Sequence, residues 1–68
     1  MTIDIKFSLN QVGLSIEARQ NKGQWETVDL ISTPNLPNGQ PCHAMEFARN
    51  WLKARESYGI NQVYFEGL

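Results

Sequence analysis

A single cysteine, Cys42, and a single histidine, His43, are all the chain offers of the residues that most often staple or metallate small proteins. One cysteine excludes an internal disulfide, and one adjacent histidine leaves no Cys/His spacing for zinc, so a reducing compartment suits the chain. No apolar run approaches the roughly 20 residues that cross a bilayer as a helix. The first ten residues hold one Lys and alternate in polarity, which is not the pattern of a signal peptide. Charge of one sign is missing too. Six basic and seven acidic side chains leave a formal net charge of -1. That argues against a strong phosphate-binding surface and equally against a heavily acidic nucleic-acid mimic. Gly13, Gly23, Gly39, Gly59 and Gly67 stand singly, as turn or cap residues do, and form no phosphate-cradling loop. A soluble cytoplasmic protein with no membrane span and no cofactor is the expectation.

What the chain does have is pattern. Its 68 residues suffice for one domain, which at this size buries about 60% of the unfolded surface. Ile3, Ile5, Phe7 and Leu9 alternate with Thr2, Asp4, Lys6 and Ser8, placing an apolar and a polar face on one strand. A sheet covered on one side only has this signature. Pairing Leu9 with Leu14 leaves Gln11-Val12 as the loop. It sets Phe7 against Ile16 and Ile5 against Ala18 on the dry face, with Lys6 against Glu17 and Asp4 against Arg19 on the wet one. Opposite charges across a ladder favour this register, and a one-residue slip would destroy both faces.

Asn21, Lys22 and Gly23 fit a second hairpin loop in which Gly23 takes the left-handed position. The continued register sets Ile16 against Val28 and Leu14 against Leu30, in a third strand from about Trp25 to Ile31. Trp25, Thr27, Asp29 and Ile31 then point outward, with Trp25 beside the Arg19 guanidinium. Residues 32–41 read as an irregular crossing loop with Leu36 as its one apolar anchor. Pro41 suits a helix start and Gly59 a helix end. Between them Ala44, Met45, Phe47, Ala48, Trp51, Leu52, Ala54 and Tyr58 form an apolar face, opposite Glu46, Asn50, Lys53 and Ser57. Arg55 falls inside the apolar sector, where Glu66 could meet it. Residues 61–66 form a last strand, with Val63 and Phe65 on one face and Gln62, Tyr64 and Glu66 on the other, most simply parallel to the first and beside it, with addition beside the third strand as the alternative. The expected fold is a single α+β domain, β-β-β-α-β, with sheet order 4-1-2-3 and one covering helix.

No chemistry-bearing constellation emerges. Neighbours on a helix diverge by about 100°, so Cys42 and His43 are badly placed as nucleophile and base. The carboxylates Asp4, Glu17, Asp29, Glu46, Glu56 and Glu66 are scattered over several elements, and none is forced into a site that would tune it for acid–base work. The chain is not expected to be an enzyme. A Trp beside an Arg on a rigid sheet has the composition of an interface hot spot. The candidate partner-binding residues are therefore Trp25, Arg19, Ile31, Thr27, Lys6 and Tyr64 on the outward face. Asn35, Leu36 and Asn38 join them from the loop.

Size and balanced charge resemble those of phage- and mobile-element-encoded inhibitors, such as anti-CRISPR proteins, and of antitoxins. The order of three strands, helix and strand, with Pro34-Asn35-Leu36-Pro37 ahead of an Ala-rich helix, resembles the HicB-type antitoxins over those few residues, without that family's glycine-rich pattern. These resemblances imply a small inhibitor or antitoxin-like protein that binds another protein, with homodimerisation through a sheet edge as a related possibility. Three antiparallel strands backed by a helix also resemble the arm-binding domains of phage integrases, which implies DNA reading by Lys6, Arg19 and Trp25, with Lys22 on a phosphate. Asp4, Glu17 and Asp29 on the same face depart from the basic stripe of such binders.

Overall fold

The computed structural model of the chain describes residues 2–68. Its first strand, β1 (Ile3–Leu9), folds back on β2 (Gly13–Gln20) in the register that the two-faced pattern dictates. Leu9 faces Leu14, Phe7 faces Ile16, Ile5 faces Ala18, Lys6 faces Glu17 and Asp4 faces Arg19. Gln11 and Val12 are poor turn residues, and Asn10 supplies what they lack. Its backbone N–H donates to Gly13 O at 2.9 Å, and its Oδ1 accepts from Val12 N–H at 2.9 Å and Gly13 N–H at 3.1 Å. The side chain thereby closes the turn. Gly13 is needed for another reason: a Cβ there would lie 2.1 Å from the carbonyl oxygen of Ile31, which only glycine lets come so near.

The second turn departs from expectation. Its left-handed residues are Asn21 (φ 51°) and Lys22 (φ 60°), not Gly23, and Gly23 N–H donates to Gln20 O at 2.9 Å. Positive φ at both central residues is the two-residue hairpin turn whose twist matches its strands. Asn adopts that conformation readily, and Asn21 is also clasped to the chain start. Its N–H donates to Thr2 O at 2.8 Å, and Thr2 N–H donates to its Oδ1 at 3.0 Å.

Strand β3 (Glu26–Ser32) starts after Trp25. Glu26 faces Ala18 and Thr27 faces Glu17, as the continued register requires, but Val28 is then an extra residue. Beyond this bulge Ile16 faces Asp29 instead of Val28, and Leu14 faces Ile31 instead of Leu30. With a side-chain period of two, one extra residue exchanges the faces. Ile31 is driven inward to 8% exposure, while Val28 and Leu30 are each left 53% exposed. Ile31 joins Leu14, Ile16 and Leu36 in the buried cluster, so the outward role expected for it is corrected to a core role.

The crossing chain is less irregular than its composition suggests. It forms single 3-10 turns at Thr33–Asn35 and Pro37–Gly39, with Leu36 buried between them. Pro41–His43 is a third such turn, and α1 (Ala44–Lys53) follows it directly. The helix stops six residues before Gly59. Arg55 N–H closes on Leu52 O at 3.0 Å, a tight i−3 bond, and Glu56–Tyr58 is again 3-10. Ala54 and Tyr58, expected on the apolar face, are consequently exposed. Gly59 takes the left-handed cap position (φ 70°), as its placement predicted.

Strand β4 (Ile60–Glu66) returns parallel to β1, completing a mixed sheet in the order β3-β2-β1-β4. Phe7 sits at its centre, edge-on to Trp51 (centroids 5.7 Å, 88° between planes) and stacked on Phe65 (5.5 Å, 13°). Ala44 and Ala48, the two buried residues of the helix, join Leu14 and Ile16 in the core cluster. The order 4-1-2-3 and the α+β class stand as the sequence predicts.

Candidate protein-binding surface

Asp4 lies on the strand face expected to be wet, yet it is 1% exposed. Its carboxylate is covered from three sides. Arg19 Nε–H donates to Oδ2 at 2.9 Å and Asn61 Nδ2–H donates to Oδ1 at 3.3 Å. Trp25 lies over the pair, its ring centroid 4.5 Å from Arg19 Cζ and 4.7 Å from Lys6 Nζ. Tyr64 closes the far side, edge-on to Trp25 with centroids 5.8 Å apart, and its hydroxyl accepts from Arg19 Nη2–H at 3.4 Å. The Arg19 hydrogen bond, with the smaller aid of Asn61, holds the Asp4 carboxyl below its ordinary value against the opposing pull of burial. Lys6 also faces Glu17, at 4.0 Å.

Four of the nominated residues, Lys6, Arg19, Trp25 and Tyr64, are thus brought together, but they are turned onto one another. Trp25 is a half-buried lid on an ion pair rather than a projecting anchor. Arg19 and Lys6 meet carboxylates and the indole, so neither cation stands free for phosphate. Thr27 is exposed beside Glu17 on the same face. Asn35 and Asn38 are exposed on the crossing turns, well apart in the chain from that cluster. Leu36, between them, is 3% exposed and packs in the core, so its nomination as a binding residue is corrected.

A second surface lies where the helix stops short. An open groove of about 610 Å³ runs between the end of α1 and the β2–β3 hairpin. Ile3, Ile5, Ala18 and Val28 line it from the sheet, and Trp51, Arg55 and Tyr58 from the helix side. Glu26 and Asp29 line it from β3. Arg55 does not reach Glu66, the partner expected for it. Its Cζ lies 3.9 Å over the Trp51 ring, and its Nη1–H donates to Trp51 O at 3.2 Å. Glu66 instead accepts from Ser8 Oγ–H at 3.4 Å. The Trp51 indole N–H is buried with no acceptor among the described residues. Arg55 was the one sequence signal for this groove, because a charge in an apolar stripe marks where the covering ends.

Cys42 is exposed, its thiol near Gln40 Oε1 at 3.5 Å, and His43 Nδ1 lies 3.4 Å from Glu46 Oε2. Among the described residues no three His, Cys, Asp or Glu side chains converge as a metal-holding set. No helix among them is long and apolar enough to cross a membrane. Comparison with protein-family models, curated proteins and solved structures finds no match for this chain.

Proposed function

We propose that the protein is a small non-enzymatic interaction module that acts by occupying another protein, in the manner of an inhibitor or antitoxin. The observation that carries this reading is the open groove between α1 and the β2–β3 hairpin, with Val28 and Tyr58 exposed at its sides. Along the sheet Ile3, Ile5, Ala18 and Val28 alternate with Arg19, Gln20, Glu26 and Asp29, and none of those polar side chains is buried, unlike the converging buried groups that orient a small substrate. Such a groove suits an apolar segment inserted side-on. Charge adds a preference. Arg55 is spent on Trp51, whereas Glu26 has no ion-pair partner among the described residues, so the favoured segment carries a basic residue beside its apolar anchors. An exposed, unpaired Cys42 fits a reducing, cytoplasmic setting.

The test places a photo-crosslinking residue at Val28 or, as a control on the opposite end of the sheet, at Val12. Host lysate should yield one dominant adduct from position 28 and none from position 12, and Val28→Asp should abolish native capture without altering the circular dichroism spectrum. Equal adducts from both positions, or capture unaffected by Val28→Asp, would overturn the groove as the binding surface.

A further inference from the structure

The sheet has two edges, and they are not equivalent. Strand β3 is guarded. The bulge at Val28 breaks its ladder, and Leu30 N–H is taken by the neighbouring Asp29 side chain, Oδ1 at 2.9 Å. Those are recognised devices against strand addition. Strand β4 shifts register only at its start, where Asn61 is an extra residue against Ile3 and Asp4, and among the described residues no side chain caps its backbone beyond that point. Its pairing with β1 runs from Gln62 to Glu66 without interruption, it holds no Lys and no Pro, and its one acidic residue is Glu66. Among the described residues its polar side chains reach sideways to Ser8, Arg19 and Asp4, and no side chain bonds its backbone. Phe65 and Tyr64, on opposite faces of this strand, are 44% and 37% exposed. An unguarded edge flanked by partly exposed aromatic rings is a template for another strand.

We infer that β4 pairs antiparallel with β4 of a second copy of this chain, joining the two sheets into one of eight strands. Self-complementarity favours that occupant. A twofold axis perpendicular to the sheet keeps the dry faces together, and the side-chain period of two then allows only registers centred on a residue. Centring on Tyr64 sets Val63 against the partner copy's Phe65 on the dry face, twice over. On the outer face it sets Gln62 against Glu66 and Tyr64 against its own symmetry mate. Apolar meets apolar, amide meets carboxylate, and no like charges face each other. Centring on Val63 sets Phe65 against the polar Asn61 and Ile60 against Glu66, and centring on Glu66 itself would oppose two carboxylates. The guarded β3 edge prevents continued addition, so association closes at two copies. The groove lies at the other side of the sheet and stays open in both, which makes this inference independent of the partner-binding reading.

Sedimentation equilibrium on the purified full chain tests it, with no other protein present. The chain should show a reversible monomer–dimer equilibrium. Gln62→Glu should weaken it about tenfold, because the twofold repeats each new Glu–Glu opposition. Gln62→Lys should tighten it, and the double variant Q62E/E66K should restore the wild-type constant. Gln62 also lies beside Asp4 across β1, so thermal melts of each variant establish that the fold is intact. If Gln62→Glu melts early, the Glu66→Lys pair with and without Gln62→Glu gives the same comparison. A wild-type chain that stays monomeric up to millimolar concentration, or a dimer whose constant ignores both charge changes, would overturn the assignment.

Discussion

Trp25, just ahead of one edge strand, and Tyr64, within the other, meet on the face opposite the helix, ring planes at 86° and centroids 5.8 Å apart. Beneath them lies the Asp4–Arg19 pair, so the face opposite the helix has a small closed layer of its own. The layer is a stabilising device, and its removal should be measurable without reference to any partner.

Trp25→Ala should cost about 1–3 kcal/mol, combining the loss of a half-buried aromatic with exposure of the ion pair beneath it. Trp25→Phe should recover much of that loss. Urea titration followed by far-ultraviolet circular dichroism measures both. An unchanged midpoint for Trp25→Ala would show that the indole covers nothing of consequence.

The Asp4 carboxyl is held below its ordinary value of 3.8 chiefly by Arg19. A depressed folded-state pKa contributes stability that is fully present above the unfolded value and is lost as pH falls through the folded one. Wild-type stability should therefore decline as pH drops below about 4. Asp4→Asn should flatten that acid limb while lowering stability at neutral pH, because Arg19 is left half-buried and unpaired. Parallel slopes for the two proteins below pH 4 would remove Asp4 from the account.

The bulge at Val28 makes a sharp distinction between neighbours in β3. Ile31→Ala should destabilise by about 2–4 kcal/mol, as loss of a buried side chain does. Leu30→Ala should stay within about 0.5 kcal/mol, as exposed substitutions do. Reversal of that order would mean that the strand runs without its extra residue.

Two glycines should respond differently for different reasons. Gly13→Ala puts a methyl group 2.1 Å from a backbone oxygen and should cost about 3 kcal/mol or more, a large part of the stability of so small a domain. Gly59→Ala meets nothing within 4 Å and should cost only about 1 kcal/mol, for the left-handed backbone. Gly59→Asn should cost less still, since Asn tolerates that region. Thermal melts of the three variants rank them.

The first hairpin was legible because both of its faces report the register independently: four apolar residues agree on one, and two opposite-charge pairs on the other. The parallel return of β4 followed from the helix ahead of it and from Val63 and Phe65 sharing a face. The third strand was harder. Val28-Asp29-Leu30-Ile31 offers an apolar set at either parity, and the choice rests on where Gly13 admits the backbone and on the partners of Ile31 in the core. The helix end was hidden because Ala54 and Tyr58 continue the apolar period past the point where the backbone tightens. Of the nominated surface, the contact of Trp25 with Arg19 could be read from strand register. Its closure could not, because it needs Tyr64 from a strand nearly forty residues away. The groove depends on the helix stop, of which Arg55 in the apolar stripe is the one trace in the sequence.

The two tryptophans occupy opposite sides of the sheet, Trp25 over the ion pair and Trp51 under the Arg55 guanidinium. Each is consequently a private optical reporter of its own side. A chain keeping only one indole emits from one environment alone, so time-resolved emission and iodide quenching can follow the groove and the lid separately in a molecule too small for most paired labels.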